Sequence, residues 1–111
     1  MFNNTKTKKY LGQHLLKDKN IAKKIVNSLS FIGYNTVVEV GAGTGALSNY
    51  LLKRCNDLYL IEIDKEYIFY LQKNYPCLRN RIIHDNFLKW KPKKLNNFAI
   101  IGNFPYNILE F

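Results

Sequence analysis

Three glycines alternate with other residues in the segment Glu39-Val40-Gly41-Ala42-Gly43-Thr44-Gly45. Glycines at alternate positions allow a tight turn and let a ligand approach the backbone closely. If a helix begins directly after such a loop, its free N–H groups can bind a carboxylate or a phosphate. A glycine loop alone also fits an ordinary strand-to-helix turn, so its interpretation depends on the residues near it.

Glu62 follows this loop at a spacing of about 20 residues, which is typical of nucleoside-binding α/β units. We expect its carboxylate to accept hydrogen bonds from both hydroxyl groups of a ribose. Asp64 competes for this role, but it lies past the apolar run, and we expect it to cap the next helix. The alternative for Glu62 is a solvated residue at the end of a strand. Loop and acid together favour a nucleoside-containing ligand.

Asp85 ends the next apolar run, where its carboxylate could accept a hydrogen bond from the exocyclic amine of an adenine. Taken alone, an aspartate in this position is more often a turn residue. His14 and His84 have no partner of metal-ligand or catalytic-triad type, so packing or hydrogen bonding is the simpler interpretation of each. Trp90 is interpreted as a packing residue.

The tetrad Asn103-Phe104-Pro105-Tyr106 is the sharpest chemical feature of the chain. An exocyclic adenine amine is a poor nucleophile because its lone pair is delocalised into the ring. Two acceptors on its N–H groups, the side-chain oxygen of Asn103 and the backbone carbonyl of Phe104, would make the nitrogen more tetrahedral and more nucleophilic. Pro105 stiffens the turn, and Tyr106 offers a flat face on which a flipped-out base can stack. The alternative is an ordinary turn after a strand.

Strands and helices alternate in the pattern of a doubly wound α/β fold with parallel central strands. Apolar spacing and β-branched runs predict helices at Ile21–Leu29, Ala46–Arg54 and Lys65–Tyr75, and strands at Thr36–Val40, Leu58–Glu62, Arg81–His84 and Phe98–Gly102. All the candidate residues from Gly41 onward then lie at the carboxyl ends of predicted strands.

The chain ends nine residues after Gly102, and its sequence predicts no further helix or strand there. The apolar fourth strand would then be an uncovered sheet edge, which is unfavourable for a soluble domain. Either a partner covers that edge or the sequence is a fragment, and we expect a fragment.

The composition of the 111 residues, 47% hydrophobic and 23% charged, is that of one small globular domain. The net charge of +9 favours a polyanionic partner or an anionic membrane surface, although lysine enrichment also follows from A+T-rich coding. No apolar run can span a bilayer and no secretory signal precedes the domain, so we expect a cytoplasmic protein. The two isolated cysteines predict neither a metal site nor a disulfide.

With these motifs in order, the chain resembles the ribosomal RNA adenine dimethyltransferase family, which dimethylates two adjacent adenines near the 3′ end of small-subunit RNA. The segment Lys9-Tyr10-Leu11-Gly12-Gln13-His14-Leu15-Leu16 resembles the N-terminal box that closes over the cofactor in that family. The resemblance implies S-adenosyl-L-methionine as cofactor, small-subunit ribosomal RNA or a pre-30S-type particle as partner, no metal, and a monomer.

The same resemblance assigns roles residue by residue. His14 and Leu16 become neighbours of the cofactor, Gly41 contacts its methionine part together with Gly43, Glu62 binds the ribose and Asp85 the adenine. Asn103 lies near both the methyl donor and the target amine, with Phe104, Pro105 and Tyr106 completing the catalytic tetrad. Lys8 and Lys9 are candidates for RNA contacts, with solvated lysines as the alternative.

The resemblance implies a Rossmann-like class I methyltransferase sheet, incomplete, with the first four strands only. Residues 1–35 would form a basic arm and a helix that close over the cofactor, and residues 36–111 a partial cofactor-binding domain. The rest of the catalytic domain and a small helical domain would be absent. Departures from the family are Leu15 for Phe, Ala42 for Pro, and the residues from Ile108 onward, where the family continues with a serine-containing turn and a long helix.

Three alternatives compete with this interpretation. One is the large-subunit RNA methyltransferase of the macrolide-resistance type, which the Gly12-Gln13-His14 box disfavours. Another is a truncated, inactive remnant or RNA-binding fragment. A nicotinamide-dependent oxidoreductase is disfavoured because the glycine spacing differs and the tetrad would have no purpose.

Overall fold

The structure, a computed structural model, describes residues 19–55, 57–87, 89–90, 97–102 and 108–110, with Lys19 and residues 108–110 described by their backbone alone. Its helices are α1 (Lys19–Asn27), α2 (Ser48–Leu51), α3 (Lys65–Asn74) and a 3-10 helix, η1 (Pro76–Arg81). Its strands are β1 (Thr36–Val40), β2 (Asp57–Glu62), β3 (Ile82–His84), β4 (Phe98–Gly102) and β5 (Ile108–Glu110).

These strands form one sheet in the order β3-β2-β1-β4-β5. The first four are parallel, as predicted, and Val40 in β1 lies opposite Ile61 in β2 and Gly102 in β4. The chain moves from β1 outward to β2 and β3, then returns to the other side of β1 with β4. In open α/β sheets, ligands bind at such a reversal, outside the carboxyl ends of the strands.

The prediction that no strand follows Gly102 was wrong. β5 pairs antiparallel with β4, and Ile101 lies opposite Ile108. This strand has three residues and only one of them is β-branched, whereas the equally short β3 has two β-branched residues in its sequence. It satisfies backbone groups on the edge of β4 that we expected to be uncovered.

The helix predicted over residues 46–54 is shorter in the structure. Only Ser48–Leu51 is α-helical, because several hydrogen bonds around it join residues three apart. The N–H of Lys53 donates to the carbonyl of Tyr50, and that of Arg54 to the carbonyl of Leu51, at 3.2 and 2.9 Å. The apolar spacing was therefore right, but the turns on either side are tighter than an α-helix.

The core is divided between the two faces of the sheet. On one face, α1, α2 and α3 bury Val26, Leu51 and Leu71 against side chains of β1, β2 and β4. On the other face, Val38, Ile61 and Phe98 form a smaller cluster that packs against Phe87 and Trp90. Strands buried on both faces explain why β1, β2 and β4 are almost continuously apolar.

Candidate functional site

The glycine loop needs its glycines because of its backbone conformation. Gly41, Gly43 and Gly45 have φ angles of 71°, 58° and 86°, in the left-handed region that other residues rarely adopt. The loop is fixed at its start by the N–H of Gly41, which donates to the carbonyl of Ile61 at 2.8 Å. The alternating pattern in the sequence is therefore a requirement of a tight loop next to the end of β2.

Glu62 lies at that end of β2 and is almost completely buried, with 4% of its surface exposed. Its Oε1 accepts a hydrogen bond from the N–H of Gly43, at 2.9 Å. Its Oε2 accepts from the N–H groups of Ile63 and Asp64, both at 2.9 Å. The predicted ribose acid thus also holds the glycine loop against β2, a role that the sequence did not reveal.

A second buried carboxyl group, Glu39 of β1, lies under the loop. The hydroxyl of Ser48, at the start of α2, donates to its Oε1 at 2.5 Å. Burial raises the pKa of Glu39 from its ordinary value of 4.5 to about 8; the Ser48 hydrogen bond lowers the pKa, and the charge of Glu62 raises it further. Glu39 therefore favours its neutral form near pH 7, and its bond to Ser48 connects the strand before the loop to the helix after it.

Tyr75, just after α3, covers the end of the loop. Its hydroxyl donates to the carbonyl of Gly45 at 3.3 Å, and its ring lies so close that a Cβ added at Gly45 would be 2.7 Å from it. Glu39 was visible in the sequence as a charged residue in an apolar strand. Ser48 and Tyr75 had no such signal, because their roles depend on contacts between distant parts of the chain.

Asp85 follows β3, and the structure brings it to the same edge of the sheet as Glu62. Its N–H donates to the carbonyl of Glu62 at 3.2 Å, and its Oδ1 accepts from the N–H of Asn86 at 2.7 Å. One carboxylate oxygen of Asp85 thus stabilises its own turn. Asp64 caps α3, as predicted, by accepting from the N–H of Glu66 at 2.9 Å.

Ile63 was not singled out in the sequence, although it lies between Glu62 and Asp64. It is a large apolar side chain with 55% of its surface exposed, at the carboxyl edge of the sheet. An exposed apolar side chain beside a buried carboxylate suits a ligand that has both an apolar face and hydroxyl groups.

The remaining predicted site residues lie outside the described residues. These are Lys8, Lys9, His14, Leu16, Asn103, Phe104, Pro105 and Tyr106. The chain leaves β4 at the carboxyl edge, where Gly102 lies beside Val40, so the tetrad begins directly after the strand next to the glycine loop. His84 is hydrogen-bonded, as predicted, with its Nε2 3.0 Å from the carbonyl oxygen of Ile63, and Trp90 is a packing residue.

Among the described residues, no group of three or more His, Cys, Asp or Glu side chains is arranged to hold a metal ion. None of the helices that these residues form has the length and apolarity needed to cross a membrane.

Known proteins were compared with this chain at the level of sequence and of structure. Proteins named ribosomal RNA small subunit methyltransferase A are 51% identical to it in Flavobacterium johnsoniae, 50% in Cytophaga hutchinsonii and 46% in Parabacteroides distasonis. Each alignment covers 93% of this chain but only 41%, 42% and 40% of those relatives. The chain therefore spans about two fifths of their length.

A crystal structure from Methanococcus maripaludis, described as that of a candidate S-adenosyl-L-methionine-dependent methyltransferase, has a similar fold. Its TM-score is 0.52 at 19% identity, and the match covers 87% of this chain and 61% of that one. This likeness confirms the predicted Rossmann-like α/β fold. The family model for ribosomal RNA adenine dimethylase matches residues 4–110. Since that is nearly the whole sequence, the chain belongs to the ribosomal RNA adenine dimethylase family.

Proposed function

We propose that this chain is the cofactor-binding part of an enzyme that uses S-adenosyl-L-methionine to dimethylate two adjacent adenines near the 3′ end of small-subunit ribosomal RNA. The observation that carries the proposal is the bond between Glu62 and Gly43, which joins the glycine loop and the acid into one site in a chain of this family. The names of the relatives favour the small-subunit over the large-subunit enzyme.

The residues at the carboxyl edge fit a nucleoside. A carboxylate has about four acceptor positions, and three backbone N–H groups use three of those of Glu62. One ribose hydroxyl can therefore bind directly, and a second can do so if the N–H of Gly43 turns to another acceptor. Ile63 offers its exposed side chain to the face of the base. Asp85 would accept from the adenine amine, while Gly41 and Gly43 let the methionine part approach the backbone.

The protein contributes mainly position and acceptors to the reaction. When bound, S-adenosyl-L-methionine supplies a methyl group on a positively charged sulfur. In the proposal, the oxygen of Asn103 and the carbonyl of Phe104 accept from the target amine and direct its lone pair towards that methyl group. Tyr106 stacks on the flipped base, and Pro105 stiffens the turn. The methylated nitrogen loses its proton to water, and a second round with fresh cofactor gives the dimethyl product.

The N-terminal region completes the proposed site. Residues 1–35 would close over the cofactor, with His14 and Leu16 beside it and with Lys8 and Lys9 near RNA phosphates. Within the described part of this region, residues 19–35, α1 packs through Val26 into the same core as β1. In the proposal, this packed helix joins the closing segment to the cofactor domain. We further propose a cytoplasmic, monomeric protein that acts on small-subunit particles.

The chain aligns with about two fifths of the length of its relatives, so methyl transfer is tested in a chimera that supplies the remaining three fifths. The chain replaces the aligned segment of the Flavobacterium johnsoniae protein, and labelled methyl groups are transferred to small subunits that lack the modification. We expect two adjacent dimethyladenines in the RNA. Asn103→Ala should abolish transfer but keep cofactor binding. A folded chimera that binds cofactor and methylates no adenine would contradict the proposal.

A further inference from the structure

A groove on the helix-covered face of the sheet lies between α1 and the segment from Tyr50 to Arg54. We call it the α1–α2 groove, and its volume is about 200 Å³. It is lined by Lys23, Val26, Asn27, Tyr50, Lys53 and Arg54. Three of these side chains are cationic, and no acidic side chain among the described residues lines the groove. Its potential is therefore positive, which attracts anions.

Two of the cations converge on one aromatic ring. The Nζ atoms of Lys23 and Lys53 lie 5.9 and 6.0 Å from the ring centre of Tyr50, and both lysines are exposed. The face of an aromatic ring attracts cations. Tyr50 therefore attracts both ammonium groups without neutralising either charge. Both cations remain able to bind an anion in the groove.

Arg54, the third cation of the groove, is held by two contacts. Its guanidinium lies 5.0 Å from the ring centre of Phe31, and its Nη1 donates to the Oδ1 of Asn27 at 2.5 Å. Since a guanidinium has five N–H donors, this bond leaves others to bind an oxygen anion. A held arginine loses less conformational freedom on binding than a mobile one.

We propose that the α1–α2 groove binds the phosphodiester backbone of RNA, with Lys23, Lys53 and Arg54 contacting phosphates. The choice of RNA as the polyanion rests on the proposed function. The match between the three cations of the groove and an anionic ligand does not depend on that function. The residues that line this groove include none of those assigned to the carboxyl-edge site, and they are distinct from Lys8 and Lys9. Phosphate contacts of this kind position a protein on RNA without reading its sequence.

The test compares two pairs of substitutions that remove equal charge. The pair Lys23→Gln and Lys53→Gln changes the groove. The pair Lys65→Gln and Lys73→Gln changes exposed lysines of α3, which does not line it. Binding of the full chain to a short fluorescein-labelled RNA hairpin is measured by anisotropy between about 50 and 200 mM KCl. Circular dichroism checks that every variant is folded.

We expect the groove pair to weaken RNA binding roughly tenfold at low salt, because two phosphate contacts are lost. The slope of log K against log salt should fall by about 1.4 to 1.8, since each phosphate contact contributes about 0.7 to 0.9. The α3 pair should change both quantities much less. Replacing the two groove lysines with arginine should restore both, because arginine also binds phosphate.

The inference is overturned if the wild-type chain does not bind the hairpin, or if the two glutamine pairs weaken binding equally. It is also overturned if the groove pair loses binding to labelled polyglutamate but not to RNA, since the groove would then suit an acidic protein. Calorimetry with S-adenosyl-L-methionine separates this test from the proposed function. The groove pair should bind cofactor normally, and a chain that binds RNA through the groove but no cofactor would contradict only the proposed function.

Discussion

Two buried carboxyl groups, Glu39 and Glu62, lie at the carboxyl ends of neighbouring strands and meet different partners. Glu62 accepts hydrogen bonds from three backbone N–H groups. Glu39 accepts a hydrogen bond from the Ser48 hydroxyl, and its pKa is raised to about 8. A single charge at Glu62 satisfies the backbone donors, and a second charge at Glu39 would add repulsion without comparable compensation. The raised pKa of Glu39 thus avoids a second buried charge beside Glu62.

The pH dependence of folding tests this assignment. Below about pH 4.5, Glu39 is protonated in both folded and unfolded chains. Between there and about pH 8, the unfolded chain has lost the proton that the folded chain retains, so the free energy of unfolding falls as pH rises. From pH 5 to 8, wild type should lose stability relative to Glu39→Gln, on the order of a few kcal/mol. Urea unfolding at several pH values measures this, and a constant difference would contradict the raised pKa.

Gly45 and Gly33 form a matched pair for testing the contact with Tyr75. Both have positive φ, 86° and 80°, but a Cβ at Gly33 meets nothing within 4 Å. Gly33→Ala should cost about 1–2 kcal/mol of stability from backbone strain alone. Gly45→Ala should cost about 1–3 kcal/mol more, because its Cβ overlaps the tyrosine ring.

A double-mutant cycle identifies the source of that extra cost. In a Tyr75→Ala background, Gly45→Ala should cost no more than Gly33→Ala, since the ring is gone. Thermal unfolding of wild type, the three single variants and the Gly45→Ala/Tyr75→Ala double variant provides the comparison. If the Gly45 penalty stays the same without the ring, Tyr75 does not pack on the loop as described.

At the scale of elements, sequence patterns predicted four strands and three helices because each has apolar spacing or a β-branched run. They missed β5, which has one β-branched residue where the equally short β3 has two, and overextended α2, whose flanking turns are tighter than its apolar spacing suggests. For the site, spacing alone indicated the loop, Glu62 and Asp85. The contacts of Ser48 and Tyr75 were not predictable, because no local pattern encodes a bond between residues 9 or 30 positions apart.

Helix α3 depends on one fully buried side chain, Leu71, among the residues of that helix. Leu71→Ala should cost about 2–5 kcal/mol through lost burial and a residual cavity. Phe69→Ala removes a larger side chain from the same helix but should cost little, since Phe69 is 73% exposed. Denaturant unfolding measures both variants, and equal losses would show that α3 packs differently.

At the scale of the molecule, the central strands β1, β2 and β4 are almost continuously apolar, and the whole chain has a net charge of +9. The sheet positions the loop, Glu62 and Asp85 at one edge, while the cations of the α1–α2 groove lie between helices on one face. The proposed cofactor site and the proposed groove for the RNA backbone therefore involve different residues of one fold. Both surfaces belong to a chain that spans about two fifths of its curated relatives.

The most direct test of the account is a calorimetric titration of the chain with S-adenosyl-L-methionine. We expect wild type to bind at one site, and Glu62→Gln to bind roughly 10- to 100-fold more weakly, because a charged acceptor for the ribose and the loop is lost. Glu66→Gln, which removes an exposed acid of α3, is the matched control and should bind like wild type. No heat from the wild-type chain, or equal affinities for the two variants, would contradict the assignment of this edge as the cofactor site.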